Sequence, residues 1–215
     1  VQCFMFQTKE EIPFEIQYLT AAEEIVIYSN ASRFLRNLDT GEHITKLTNL
    51  KRLTIGAYGL TTLHPDFVNP KNLEYLDLGS NCFQTIPDIL TPENFPNLHA
   101  LVMSANQRHT IYDLSNDIRE NIGGFVDEPK FPERLLKWNN LDTLRLSVNY
   151  LQGELPSMSD HEKWTKEEVQ ACDTLPDILI GLPKVLPNTD FFAINFNRLT
   201  GELPDWLLYH PKLDI

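Results

Sequence analysis

Residues 73–83 read LEYLDLGSNCF, with apolar residues at Leu73, Leu76, Leu78 and Phe83 and an asparagine, Asn81, between the last two. The same frame returns as LHALVMSANQR from Leu98, LDTLRLSVNYL from Leu141 and TDFFAINFNRL from Thr189; a weaker copy, LKRLTIGAYGL, starts at Leu50. Alternation of apolar and polar residues with period two describes a short strand with one buried face. One such strand cannot bury that face alone, so copies must stack and share a continuous core. The asparagines that follow (Asn81, Asn106, Asn149, Asn197) fall where the chain turns inward, and their amides suit backbone groups that a turn leaves unpaired.

The frame extends in both directions. Ala22, Ile25, Ile27 and Asn30 fit a degenerate copy, and Val1 and Cys3 are expected on the strand of an earlier one, with Cys3 at a core position. Leu213-Asp-Ile215 opens a further copy. Leading positions at Ala22, Leu50, Leu73, Leu98, Leu141, Thr189 and Leu213 give steps of 28, 23, 25, 43, 48 and 24 residues. Phe131-Pro132 stands before Leu141 as Leu203-Pro204 stands before Leu213, and Leu175-Pro-Asp-Ile-Leu matches Leu203-Pro-Asp-Trp-Leu. Looping out about residues 109–130 and 157–174 therefore restores the period. Thr165 and Glu168 have capping-box spacing, so a short helix is expected in the second insertion. The reading is a single repeat domain over 1–215, a fragment of a longer array.

Two copies carry a further signature: Leu151-Gln-Gly-Glu-Leu-Pro156 and Leu199-Thr-Gly-Glu-Leu-Pro204. With the five framed copies, this resembles the leucine-rich repeat family, and within it the LxGxLP subclass of plant receptor ectodomains and of secreted or surface bacterial proteins, including those of gut bacteria. The resemblance implies an α/β-type solenoid: a right-handed leucine-rich repeat coil, its short-stranded parallel sheet concave and its convex side irregular or helical. It also implies a non-catalytic recognition module, extracellular or at the cell surface through an outer-membrane lipoprotein anchor. The ligand would be a protein or a glycan, met on the outward strand face or the inserted edge. The alternatives are a structural spacer or stalk of a surface protein and a plant-type receptor ectodomain.

Composition narrows the classes. The net charge of −12 over 215 residues disfavours nucleic acid, which needs clustered Lys and Arg, and disfavours anionic membranes. No apolar run reaches the length of a membrane span, and the domain is expected to be a monomer. Cys3, Cys82 and Cys172 are too few for a disulfide framework. His161-Glu162 lacks the second histidine of a zinc helix, and Asp113, Asp117, Asp127 and Glu128 lack EF-hand spacing, so no metal or cofactor is expected. His109 with Asp113, and Asp160 with His161 and Glu162, are the acid–base candidates; neither group adjoins a nucleophile motif or a phosphate loop, so no enzymatic activity is expected. Asn30-Ala31-Ser32 is a glycosylation sequon, but Asn30 takes the inward ladder position.

The frame also assigns the outward side chains. One row runs Glu24, Arg52, Tyr75, Ala100, Thr143, Phe191; the next Val26, Thr54, Asp77, Val102, Arg145, Ala193; the third Tyr28, Gly56, Gly79, Ser104, Ser147, Asn195. Arg52, Tyr75, Asp77, Arg145, Phe191 and Phe196 are the candidate ligand-binding residues, because aromatic and arginine side chains dominate interface energetics.

Overall fold

The computed structural model describes residues 3–7, 12–28, 40–106, 109–113, 118–122, 124–125 and 127–213. In chain order its strands are β1 (Cys3–Gln7), β2 (Glu24–Tyr28), β3 (Arg52–Gly56), β4 (Tyr75–Asp77), β5 (Ala100–Val102), β6 (His109–Asp113), β7 (Ile118–Ile122), β8 (Thr143–Arg145), β9 (Gln152–Gly153), β10 (Phe191–Ala193) and β11 (Arg198–Leu199). Seven of them form one parallel sheet in the order β1-β2-β3-β4-β5-β8-β10. Each connection returns behind the sheet, so the chain winds as a right-handed α/β solenoid.

The register stacks like on like. Ile25, Leu53, Leu76, Leu101 and Leu144 lie opposite one another on successive strands, all fully buried. Leu78, Met103 and Leu146 bury a second row two residues later. Burial of each such side chain contributes roughly 1.5–3 kcal/mol, and the period of two is what puts every one of them inside. Ile194, which the alternation from Thr189 places in this second row, is only partly covered: β10 has a strand neighbour on one side alone. Cys3 is also a correction. It pairs opposite Glu24 in the outward row and is exposed, and Phe4, opposite Ile25, takes the core position instead.

The return segments are short 3-10 turns at Phe14–Tyr18, His43–Lys46, Pro65–Val68, Glu133–Lys137 and Asp177–Leu179, plus one-turn helices α1 (Lys166–Gln170) and α2 (Asp205–Leu208). Pro13, Pro132, Pro176 and Pro204 sit at N-cap positions in extended backbone. A proline has a fixed φ and no N–H to leave unpaired, so it starts a turn at little cost. Thr165 and Glu168 close a reciprocal capping box on α1. Behind the sheet, rings pack in tilted or edge contacts: Phe67 with Phe95, and Phe192 with both Phe131 and Trp206.

Three of the four ladder asparagines do what a buried amide must; in the fourth, Asn106, Nδ2 donates to the Met103 carbonyl at 2.7 Å and the buried Oδ1 has no partner among the described residues. Asn81 Oδ1 accepts from the backbone N–H groups of Tyr58, Gly59 and Leu60 at 3.1–3.2 Å, and its Nδ2 donates to the carbonyls of Ile55 and Leu78 at 2.7 and 2.9 Å. Asn149 and Asn197 repeat the pattern, binding the coil before them. Asn30 lies outside the described residues, as do Val1 and Asp117.

In the segment read as the first insertion, β6 and β7 form an antiparallel hairpin, His109 opposite Ile122. Phe125 then returns to the core, fully buried, and its N–H donates to the Phe83 carbonyl at 3.3 Å. In the second, residues 161–164 fold onto 181–184, with Lys163 paired to Pro183 and backbone bonds joining Trp164 to Gly181 and Leu182. The two LxGxLP tails meet as a second, two-stranded parallel sheet, β9 with β11.

Candidate functional site

The outward face is set by the same register as the core. Arg52, Tyr75, Ala100, Thr143 and Phe191 stand opposite one another in one row, and Thr54, Asp77, Val102, Arg145 and Ala193 in the next. Successive strands are about 4.8 Å apart, so Asp77 and Arg145, two strands apart in one row, stand roughly 10 Å from each other.

The six sequence-derived residues fall into two groups and an outlier. On β3 and β4, the Arg52 guanidinium lies 4.2 Å from the centre of the Tyr75 ring, and its Nε lies 3.5 Å from Glu24 Oε1. Tyr75 Oη donates to Asp77 Oδ2 at 3.4 Å, and the Gly79 N–H donates to Oδ1 at 2.8 Å. Burial pushes the Asp77 carboxyl up, against the pull of those two bonds and of Arg145. Burial, then the Asp77 charge, pushes the Tyr75 hydroxyl up as well. Both shifts mark a partly desolvated spot on an otherwise wet face. On β8 and β10, the Arg145 guanidinium lies 4.4 Å from the centre of the Phe191 ring. Ala100 and Val102 form the floor between the groups, and Val102 is buried although it points outward. Phe196 belongs to neither group: it sits on the turn beyond β10, 78% exposed.

Two arrangements escaped the sequence reading. Arg198 stacks 4.8 Å from the Tyr150 ring centre, both residues directly following a ladder asparagine. A second amide ladder runs along the opposite end of the strands. Asn49, Asn72, Asn97, Asn140 and Asn188 donate from Nδ2 to the carbonyls of Thr20, Thr48, Lys71, Pro96 and Asn139 at 2.8–3.1 Å. The signal was present: each stands one residue before a leading position of the frame.

Of the acid–base candidates, His161 Nε2 is enclosed and has no hydrogen-bond partner, and Glu162 lies 3.6 Å from Lys184 Nζ; the side chains of His109 and Asp113 lie outside the described residues. Glu128 is committed to Arg134 at 2.5 Å and Asp127 accepts from Gln84 at 2.7 Å. Among the described residues no group of three or more His, Cys, Asp or Glu could hold a metal ion, and no helix is long and apolar enough to cross a membrane.

Comparison with known proteins bears on the fold. The family model described as Leucine Rich Repeat matches residues 72–98. No curated protein matches the chain. Among solved structures, the LRR ectodomain of the plant membrane receptor kinase GASSHO1/SCHENGEN3 from Arabidopsis thaliana, in complex with CASPARIAN STRIP INTEGRITY FACTOR 2, superposes with a TM-score of 0.52 at 20% identity, covering 95% of this chain and 22% of that one. The plant peptide hormone receptor RGFR1 in complex with RGF2 gives 0.49 at 18% identity, over 95% and 29%. An LRR protein of Leptospira interrogans gives 0.47 at 17%, over 95% and 50%. The chain thus spans less than a third of either receptor chain. One repeat matched in sequence, the same frame around it and the shared fold give the conclusion that the chain is built as a leucine-rich repeat solenoid.

Proposed function

We propose that this protein is a non-catalytic recognition module that binds a partner protein through its outward strand face, and that it works outside the cell or at its surface. The observation that carries this reading is the pair of arginine–aromatic stacks, Arg52 on Tyr75 and Arg145 on Phe191, flanking the low floor of Ala100 and Val102. Stacking fixes long side chains before a ligand arrives, which lowers the entropy lost on binding. Arginine and aromatic residues are also the types that carry most of the energy of protein interfaces. The partly desolvated Asp77 adds an acceptor at the centre, so the face offers apolar, donor and acceptor chemistry within a few strands.

Two further points support the setting. The LxGxLP tails pair as β9 and β11, giving that signature a structural role on the flank. A receptor ectodomain of the same fold has been solved with its bound factor.

The test is a binding screen against extracellular proteins, followed by measuring the ligand found against the Arg145→Ala and Phe191→Ala variants of this protein. Each change is expected to weaken binding by about tenfold, near 1.4 kcal/mol. A ligand weakened less than about threefold by both (roughly 0.65 kcal/mol) does not use this face.

A further inference from the structure

Asp77, Val102 and Arg145 lie side by side in one outward row, on β4, β5 and β8. All three strands are interior, each paired on both sides. The row is therefore set by the sheet and not by an end of it. Thr54 stands on the far side of Asp77, and Gly79 follows two residues later on the same face. A Cβ on Gly79 would lie 3.0 Å from Asp77 Oδ1 and 3.3 Å from the Ser104 carbonyl oxygen, so this flank of the carboxylate admits no side chain. Small residues thus border the acid, and the buried Val102 separates it from the arginine.

Neither charged member of the row has an ion-pair partner among the described residues. The Asp77 carboxylate accepts one bond on each oxygen, from the Gly79 N–H and the Tyr75 hydroxyl. A carboxylate has about four lone-pair sites, so acceptor capacity remains on both. Arg52, one strand further back, is turned to the Tyr75 ring and to Glu24. Arg145 is exposed and lies on the Phe191 ring, with no hydrogen bond from its guanidinium among the described residues. A partly desolvated carboxylate without a cation carries an electrostatic cost, which is why burial outweighs its hydrogen bonds in raising its pKa. A cation brought by a ligand removes that cost.

We propose that this row reads the order of charges in an extended segment of the partner protein: Asp77 takes a basic side chain, Arg145 an acidic one, and the strip of Ala100 and Val102 between them a small apolar residue. This rests on the strand-face function and adds to it the chemistry of the ligand and the direction in which it lies. Asp77 and Arg145 stand about 10 Å apart, and an extended chain advances about 3.3 Å per residue. The basic and acidic residues of the segment are therefore about three or four positions apart, the basic one toward β1 and the acidic one toward β10. On a molecule of net charge −12, attraction for basic segments is general. Arg145 supplies the discrimination, because a segment laid the other way brings like charges together at both ends.

The probe is a random peptide library on phage, selected on the wild-type protein. Selected peptides are then synthesised as found and with their basic and acidic residues exchanged. They should share Lys or Arg about three or four positions from Asp or Glu, and the exchange should weaken binding to the wild type about tenfold. Asp77→Asn, which keeps an acceptor for the Gly79 N–H, and Arg145→Ala should each cost the original peptide about tenfold, with Tm within about 4 °C of the wild type. A larger loss of Tm leaves the exchange on wild-type protein to decide alone. An exchanged peptide that binds within about threefold of the original overturns the proposal. So does a consensus without the two charges, or a library without binders. Peptides that need Arg145 and Phe191 but ignore Asp77→Asn overturn the charge order and leave the strand-face function standing. Peptides indifferent to all three changes overturn both.

Discussion

The backbone N–H of Asn106 donates to Oδ1 of Asn149 at 2.9 Å, joining two coils across 43 residues of chain. The hairpin β6–β7 lies between them in sequence, yet the rung closes as if the coils were consecutive. The solenoid therefore reads the frame and ignores what is looped out, which agrees with the small cost of long surface loops.

Asn149 makes three such bonds, since its Nδ2 also donates to the carbonyls of Met103 and Leu146 at 2.8 and 2.9 Å. Asn149→Ala leaves these buried groups without a partner. The expected loss is about 1–3 kcal/mol in urea unfolding, set by the cost of unpaired buried polar groups. Asn149→Asp keeps the acceptor and removes the donor, so it should restore the Asn106 rung and not the other two.

Leu144 is fully buried between Leu101 and Phe192 in the stacked row. Leu144→Ala should cost about 2–5 kcal/mol by the same measurement, the usual range for a buried leucine. Thr143→Ala, one residue away but facing outward, should change stability by less than about 0.5 kcal/mol. A similar loss at both positions would contradict the alternation.

This alternation is why so much of the fold was legible. Once Leu73, Leu98, Leu141 and Thr189 are aligned, the pairings Arg52–Tyr75–Ala100–Thr143–Phe191 follow without any coordinates, and the structure has them in that register. What the frame cannot supply is contact between side chains on different strands. It puts Arg145 and Phe191 on neighbouring strands, and only the geometry makes them one stack. Cys3 was misplaced because the first copy has no visible leading residue, and a shift of one residue turns every side chain to the other face. Phe125 was read as part of an insertion because its core position is visible only from its bond to Phe83. The ladder at Asn49, Asn72, Asn97, Asn140 and Asn188 was in the sequence in plain order, but amides at a turn are common enough to pass as ordinary loop residues.

His210 ties the last coil in place. Its Nε2 lies 3.1 Å from the Leu186 carbonyl and therefore carries the proton, while Nδ1 accepts from the N–H groups of Lys212 and Leu213 at 3.2 Å. Burial holds the imidazole below its ordinary value, with Lys212 adding to the shift and the carbonyls of Leu186 and Val185 opposing it. Because the folded value is lowered, the unfolded chain binds the proton first. The contribution is complete above the unfolded value of about 6.5 and is lost as pH falls from there toward the folded value. Thermal unfolding of the wild type and of His210→Gln, compared from pH 8 to pH 5, should show a drop through this window that the variant lacks. Equal slopes would remove His210 as the cause.

Lys184 fastens the segment at 157–174. Its Nζ lies 2.6 Å from Glu168 Oε1 and 3.6 Å from Glu162 Oε1, and 5.1 Å from the centre of the Trp164 ring. The bond to Lys184, with the capping bonds from Thr165, holds the Glu168 carboxyl down at about 2. A depressed carboxylate stabilises above its unfolded value of about 4.3 and loses that contribution as pH falls through its folded value, so this pin should survive mild acid that titrates ordinary glutamates. Lys184→Met keeps the apolar stem against Trp164 and removes the charge. Residues 157–174 pack as a local unit on 181–184, so the change should raise hydrogen exchange at α1 and protease cutting in that segment while Tm stays nearly constant. In the wild type, exchange at α1 should stay protected down to pH 3, relative to the intrinsic rate. Protection already lost near pH 4.5 would mean that Glu168 titrates as a free side chain and that Lys184 does not hold the segment.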